Sequence, residues 1–178
     1  MEGVDLVRRL LSSSEWAMEQ FGACELGDRR RTKRAVRLAA QVAEYPDGST
    51  PNQTERWADL KAAYRLFDSE DVTFTALAKP HWELTRSRAR GTVLLIADTT
   101  ETDFGIHRNV DGLGPTGDGY GRGFLLHNSL MVDPETQEIV GLAGQELFYR
   151  QPAPNNENSY QRTQRPRESE VWGRVIEL

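Results

Sequence analysis

Apolar residues recur at helical spacing along the first part of the chain. Between Asp28 and residues 45–48, alanine, valine and leucine return every three or four positions, which predicts a helix with one apolar face. Asp28 is a residue type that caps helix starts, and Pro46 with Gly48 should end the helix. A second helix is predicted over residues 50–67, with Pro51 at its first position and Gln53 completing a capping box.

The pattern changes from helix to strand near residue 91. A third helix is predicted over residues 72–90, and Pro80 should bend or interrupt it because proline lacks a backbone donor. Residues 93–97 then form an apolar run that is too short for a helix and typical of a strand covered on both faces. The chain therefore predicts two domains, a helical one over residues 1–70 and a second over residues 71–178.

Two further strands are predicted in the second domain, over residues 124–132 and 139–149. The turn-rich residues 133–136 between them favour an antiparallel hairpin. Residues 152–169 are polar and aperiodic, which indicates a surface loop or a disordered link. A helix should begin near Glu168, and the sequence ends on its apolar face. The fold class is thus α+β, with three antiparallel strands and the start of a helix in an incomplete second domain.

Composition places this chain among ordinary soluble proteins. Its 178 residues are 38% hydrophobic, enough for one good core, and no run of about 18 apolar residues indicates export or a membrane span. A cytoplasmic location is expected. The single cysteine, Cys24, has no partner for a disulfide or a zinc site and is predicted to be a small buried side chain. The four tryptophans are predicted to anchor the core.

Positive charge is concentrated in one short segment of an acidic chain. The net charge is -5, which disfavours a generic nucleic-acid binder. Six cations nevertheless occur within nine positions: Arg29, Arg30, Arg31, Lys33, Arg34 and Arg37. Such a stripe can bind phosphates, or it can be the solvated face of a helical interaction module, which is the usual role of a charge run.

Asp98 is the candidate for metal chemistry. It directly follows the predicted buried strand, where ligands often bind, although an aspartate of a turn or cap gives the same pattern. Magnesium or manganese takes oxygen ligands, so a second carboxylate would have to converge on Asp98. Glu101 and Asp103 would point to the opposite face if the strand continued, and are expected to be solvated loop acids.

The glycine-rich residues 112–123 contain a GxGxxG pattern outside its usual context. The pattern does not lie between a strand and a helix, and no GK[ST] follows it, so nucleotide binding is disfavoured. A flexible, substrate-facing loop is predicted instead. In it, Arg122 either meets a phosphate or is a solvated cation. His127, in the following strand, is predicted to be a core or groove residue rather than a catalyst.

Several blocks of this sequence together resemble one protein family. They are Leu26-Gly27-Asp28 with the arginines that follow, Ala63-Tyr64-Arg65, the segment ending Ile96-Ala97-Asp98-Thr99-Thr100, GRGFLLHNSLMV and GLAGQELFYRQP. Over roughly residues 14–178 the chain is similar to the N-terminal half of bacterial cut-and-paste transposases of the insertion-sequence-four group.

The resemblance implies a DNA-gripping helical domain and a ribonuclease-H-like domain. In this family two aspartates and a glutamate bind two divalent metals, Mg²⁺ or Mn²⁺, and Asp98 matches the first aspartate. In the family, arginines of the arginine block contact the transposon end, which carries over to Arg30, Arg31 and Arg34, with Arg65 as a weaker candidate. Arg37 of the same stripe and Arg122 of the glycine-rich segment are further candidates for DNA contact, proposed from the sequence alone. The other two carboxylates would follow Leu178, so the chain is expected to be truncated and inactive alone.

The expected partner is the double-stranded DNA of a transposon inverted repeat. The resemblance leaves open a homodimer and a mixed dimer with full-length transposase. Two other interpretations of the chain stay open beside a fragment of an active enzyme. One is a non-catalytic DNA-binding protein or transposition inhibitor, and the other is a helical interaction module.

Overall fold

The computed structural model describes residues 11–105, 110–117, 119–151, 154, 156–164 and 166–177. The chain divides into two compact units, one ending at Pro80 and one beginning at His81. The first unit is helical and the second contains an antiparallel sheet, which confirms the predicted α+β class.

Four helices lie within the described part of the first unit, and a fifth begins there. They are Ser13–Phe21 (α1), Arg29–Glu44 (α2), Thr50–Gln53 (α3), Trp57–Phe67 (α4) and Phe74–Ser87 (α5). Their apolar faces meet in two clusters of buried residues. One contains Cys24, Leu26, Ala35 and Leu66, and the other contains Ala17, Val36 and Ala40.

Helix α2 is as the sequence predicted. The carboxylate of Asp28 accepts a hydrogen bond from the backbone N–H of Arg30 at 2.7 Å, which satisfies one of the free donors at the helix start. The helix ends at Glu44, just before Tyr45 and Pro46. Ala35, Val36 and Ala40 of this helix are buried, whereas its cations are exposed except for the half-buried Arg31.

The prediction of one helix over residues 50–67 is wrong. Helix α3 ends at Gln53, and Thr54 has an extended backbone while its hydroxyl donates to the Thr50 carbonyl at 3.0 Å. The predicted capping box is also absent, because the Gln53 amide donates to the carbonyl of Tyr45 at 3.0 Å. Helix α4 therefore starts anew at Trp57.

Helix α5 is continuous through Pro80 rather than interrupted, and it ends at Ser87. Residues on both sides of the proline are packed: Leu77 against the helical core and Trp82 at 3% exposure. Such packing holds the turns that flank the missing donor.

Cys24 is buried, as predicted, and burial raises the pKa of its thiol. Of the four tryptophans only Trp82 is an anchor of the core, so the prediction for the other three is wrong. Trp16, Trp57 and Trp172 are 38%, 68% and 47% exposed, although the Trp172 ring contacts the ring of His127.

The sheet of the second unit has four described strands, all antiparallel. They are Leu94–Asp103 (β1), Gly114–Thr116 (β2), Gly121–Val132 (β3) and Ile139–Phe148 (β4). Strand β3 is central: β1 pairs with one of its edges, and β2 and β4 pair with the other. The predicted hairpin between β3 and β4 is confirmed, and Asp133 closes its turn by accepting from the N–H of Glu135 at 2.8 Å.

Strand β1 is not covered on both faces, contrary to the prediction. It pairs only with β3 among the described strands, and the side chains of Leu94, Leu95 and Ile96 are 49%, 40% and 55% exposed. An apolar run indicates a strand but does not locate it in the sheet, and among the described strands β1 lies at an edge.

Two helical segments follow the sheet. Residues 159–164 form a short helix, Ser159–Gln164 (α6), where the sequence predicted only loop or disorder. A 3-10 turn at Glu168–Glu170 leads into Val171–Glu177 (α7), which confirms the helix predicted near Glu168. Val171 and Val175 of α7 are buried, and Val175 lies close to Gly144 of β4.

Part of the glycine-rich segment forms strands, so the prediction of a loop along its whole length is wrong. Strand β2 occupies part of it, and β3 begins at Gly121. A side chain at Gly123 would collide with the backbone carbonyl of Thr102, and one at Gly114 with that of Arg150. These glycines therefore allow neighbouring strands to approach closely.

His127 is a core residue, as predicted. Its ring is fully buried, packs against Trp172 with ring centroids 4.9 Å apart, and shares a hydrogen bond between Nδ1 and the Thr99 hydroxyl at 2.8 Å. Burial lowers the pKa of His127, although the carboxylates of Asp98 and Glu146 oppose that shift. The neutral imidazole is thus the form that the fold favours.

Stability should decrease on mild acidification because of this ring. The unfolded chain takes up a proton as pH falls through about 6.5, and the folded chain resists it, so the free energy of unfolding should fall between pH 7 and 5.5. Urea titrations followed by tryptophan fluorescence measure the effect. His127→Gln should flatten the dependence but not abolish it, because burial also lowers the pKa of His81. A wild-type stability that is constant over this range would contradict the prediction.

Candidate nucleic-acid interface

The six cations of α2 fall into two groups in the structure. Arg31 and Arg37 are tied to acids of the same unit. The others are exposed and form no ion pair within the described part of the chain: Arg29, Arg30, Lys33 and Arg34. Four unpaired cations on successive turns of one helix make an exposed positive surface, here called the α2 surface.

Arg31 joins the start of α2 to residues outside this helix. Its Nη1 donates to the carbonyl oxygen of Leu26 at 2.9 Å and pairs with the carboxylate of Asp71. The side chain is 34% exposed. A guanidinium engaged in this way has fewer donors left for a phosphate, so its main contribution is to hold the α2 surface in place.

Arg37 pairs with Asp59 of α4. The distance between Nη2 and Oδ2 is 2.8 Å, and the Asp59 side chain is only 14% exposed. Together with Arg34 these residues line a shallow depression of about 140 Å³ between α2 and α4. The pair joins the two helices that flank the depression.

Helix α4 carries exposed aromatic and cationic residues that the sequence analysis did not single out as a surface. Trp57 and Tyr64 are 68% and 47% exposed, and the Lys61 ammonium lies 5.2 Å from the centre of the Trp57 ring. Arg65, in the last turn, is exposed as well. The spacing of three and four residues along the helix could have indicated this surface.

Asp98 lies inside β1 rather than after it, because the strand continues to Asp103. Its side chain is exposed and faces the same side of the sheet as Asn128, its partner on β3. Asn128 accepts a hydrogen bond from the Gln145 amide at 2.6 Å, and Gln145 accepts one from the Trp82 indole at 3.2 Å. A row of polar groups thus crosses the sheet beside Asp98.

Glu101 is not a solvated loop acid. It accepts from the N–H of Gly117 at 2.5 Å and pairs with Arg150 at 3.3 Å, on the side of the sheet opposite Asp98. Asp103 accepts from the N–H of Gly105 at 2.6 Å. Among the residues that the structure describes, no three His, Cys, Asp or Glu side chains converge in a way that could hold a metal ion.

Arg122 lies at the start of β3, exposed, and donates to the carbonyl of Leu113 at 3.2 Å. It faces the same side of the sheet as Asp98 but is six residues from Asn128 along β3, or roughly 20 Å. The structure therefore does not bring Arg122 and Asp98 together. His107, which lies between His81 and His127 in the sequence, is outside the described residues.

No helix in the described ranges is long and apolar enough to cross a bilayer. Residues 13–72 match the family model described as transposase DNA-binding. The match includes α1 to α4, the whole α2 surface and the exposed face of α4. The helical N-terminal region of this chain is thus similar to transposase DNA-binding domains.

Proposed function

We propose that this chain binds transposon-end DNA through its helical unit, as part of a transposase of the insertion-sequence-four group. One observation supports this most directly. The segment that matches transposase DNA-binding domains contains the α2 surface, whose cations have no ion pair among the described residues. Unpaired arginines and lysines supply the counterion-releasing contacts on which DNA affinity depends.

The cations of α2 and α4 have different proposed roles. Arg30 and Arg34 contact DNA phosphates directly, and Arg65 adds a third contact from α4. Arg31 and Arg37 act mainly by fixing the surface, since their guanidinium groups are engaged with Asp71 and Asp59. Phosphate contacts orient a protein on the duplex, and sequence is read by groups that reach the base edges. Trp57 and Tyr64 are exposed on the same helix as Arg65.

Asp98 is proposed to be the first carboxylate of a ribonuclease-H-like catalytic domain. A carboxylate fits the oxygen preference of Mg²⁺ or Mn²⁺. However, the described residues bring together no group of three potential metal ligands, so they do not by themselves make a metal centre. Catalysis requires further ligands from outside the described residues, whether in this polypeptide or in a partner such as a second copy or a longer transposase.

A DNA partner also agrees with action in the cytoplasm of a bacterial cell.

Binding without cleavage is the expected behaviour of the chain. In a salt series with Mg²⁺ present, the purified protein should bind an inverted-repeat duplex more tightly than a scrambled one, with affinity that falls as salt rises. The strands should stay intact, and Asp98→Asn should bind like the wild type because the substitution leaves every cation of the α2 surface in place.

Two results would count against this proposal. A chain without salt-sensitive DNA binding would leave the interaction-module interpretation in first place. Nicking that disappears in Asp98→Asn would instead mean that the chain contains enough carboxylates for catalysis.

A further inference from the structure

The second unit has a large groove beside the end of β4. Its volume is about 1070 Å³, and it lies between the β2–β3 connection, the last residues of β4, helix α6 and the start of α7. Its described lining includes four arginines: Arg150, Arg162, Arg167 and Arg174. Among the lining residues that the structure describes, Glu168 is the one acid, so this described lining has more cations than acids although the chain as a whole is acidic.

Two of these arginines, Arg150 and Arg174, form ion pairs with acids at the groove. Arg150 makes a two-pronged contact with Glu168, at 2.7 Å from Nε and 3.1 Å from Nη2, and its Nη1 reaches Glu101 at 3.3 Å. Arg174 makes a similar contact with Glu146 of β4, with its Nε 3.0 Å from each carboxylate oxygen. These carboxylates raise the pKa values of both arginines. The charges of Arg150 and Arg174 are therefore balanced. Their ion pairs join the segments of the chain that form the groove.

The other two arginines have no such partner. Arg162 of α6 and Arg167 before the 3-10 turn are exposed and form no ion pair with any described residue. Each has a guanidinium with five donors and no acceptor. An anionic ligand rich in acceptor oxygens therefore suits this groove, because it would pair with two guanidinium groups that form no ion pair with a described residue.

We propose that this groove binds the sugar-phosphate backbone of DNA, with Arg162 and Arg167 each contacting a phosphate. The planar guanidinium matches the phosphate group in two-pronged hydrogen bonds, better than a lysine ammonium does. The volume is at or above the upper end of small-molecule sites, which suits a segment of a polymer.

The aromatic residues of the groove favour nucleic acid over an acidic peptide. Tyr149 is 43% exposed in the groove wall, and its ring packs edge-on against Phe124 at 6.5 Å. An aromatic ring beside arginines offers a surface for a sugar or base, in addition to the phosphate contacts. A peptide of aspartate and glutamate would match the charge but would have no use for that ring.

This groove is a second DNA contact, separate from the α2 surface. The inference rests on the proposed function in one respect, since it takes DNA as the polymer that the chain binds. It is otherwise independent, because all the lining residues belong to the second unit.

The test is a salt series of duplex binding by the full chain with Arg162→Ala and Arg167→Ala combined. Losing two phosphate contacts should lower the slope of log affinity against log salt by about 1.8 and weaken binding on the order of tenfold at physiological salt. The control is Arg88→Ala with Arg90→Ala, which removes the same charge from the same unit outside the groove and should change the slope little. Arg162→Lys with Arg167→Lys should keep most of the slope while weakening binding, because the charge remains and the planar fork is lost.

The outcomes separate this inference from the proposed function. If the alanine pair leaves the slope unchanged, the groove does not contact DNA, and binding by the α2 surface is unaffected by that result. If the groove pair lowers the slope but substitutions in the α2 surface do not, the groove stands and the proposed function fails. An equally charged poly-glutamate peptide that competes as well as DNA, and loses affinity in the same variant, would overturn the inference in favour of an acidic protein partner.

Discussion

Replacing both Arg30 and Arg34 by alanine is expected to weaken duplex binding at least tenfold at physiological salt. Each arginine is exposed and unpaired within the described residues, so each is available for a phosphate. The slope of log affinity against log salt should fall by about 1.8, since about 0.9 is lost with each contact. The loss should be nearly the same for inverted-repeat and scrambled duplexes, because phosphate contacts carry no sequence information.

The combined substitution of Arg88 and Arg90 serves as the control for this experiment too, because it removes two positive charges outside the α2 surface. The folded state of each variant is checked by circular dichroism. If the Arg30 and Arg34 variant keeps the wild-type slope, those arginines are not at the interface. If the slope of the Arg88 and Arg90 variant falls as far as that of the Arg30 and Arg34 variant, DNA binding depends on the overall charge of the protein and not on the α2 surface.

Leu66→Ala should cost about 2–5 kcal/mol of stability in the helical unit. The Leu66 side chain is 2% exposed and packs in the core with Cys24, Leu26 and Ala35. Alanine leaves a cavity there, and the loss of contacts adds to the loss of apolar burial. Because the same core supports α2, DNA binding should be lost at the temperature where this unit unfolds.

The matched control is Phe67→Ala, at the next position of α4. That side chain is 53% exposed, so its removal should cost less than about 1 kcal/mol. Urea titrations of the two variants, followed by far-ultraviolet circular dichroism, compare them directly. Equal destabilisation would mean that the helical core is not organised around Leu66.

The sequence predicted α2 well because its signals are local. The cap at Asp28 and the apolar repeat that follows are within one helix, and both are read from neighbouring residues. The break after α3 was missed because it depends on side chains. The Gln53 amide bonds to the Tyr45 carbonyl and the Thr54 hydroxyl to the Thr50 carbonyl, and propensity does not distinguish these bonds from a continuing helix.

Contacts distant in sequence account for the larger differences at the candidate site. The pattern predicted a stripe of six cations but not that Arg31 meets Asp71, 40 residues away, or that Arg37 meets Asp59, 22 residues away. It predicted a strand directly before Asp98 but not that this strand continues to Asp103 and lies at an edge among the described strands. The groove of the second unit was hidden for the same reason, because its arginines come from separate elements and two are neutralised by distant acids.

The hydrogen bond between Thr99 and His127 bears on the orientation of Asp98, the preceding residue. A slip of β1 by one position against β3 would turn Asp98 toward the side that carries α7 and move Thr99 to the side of Asn128. Among the described strands, β1 forms backbone hydrogen bonds with β3 alone. A slip of such a strand breaks fewer hydrogen bonds than a slip of a strand with two neighbours. The 2.8 Å contact to a fully buried imidazole can form in only one alignment of the two strands. A threonine hydroxyl on one face of the sheet thereby keeps a carboxylate pointing out of the other.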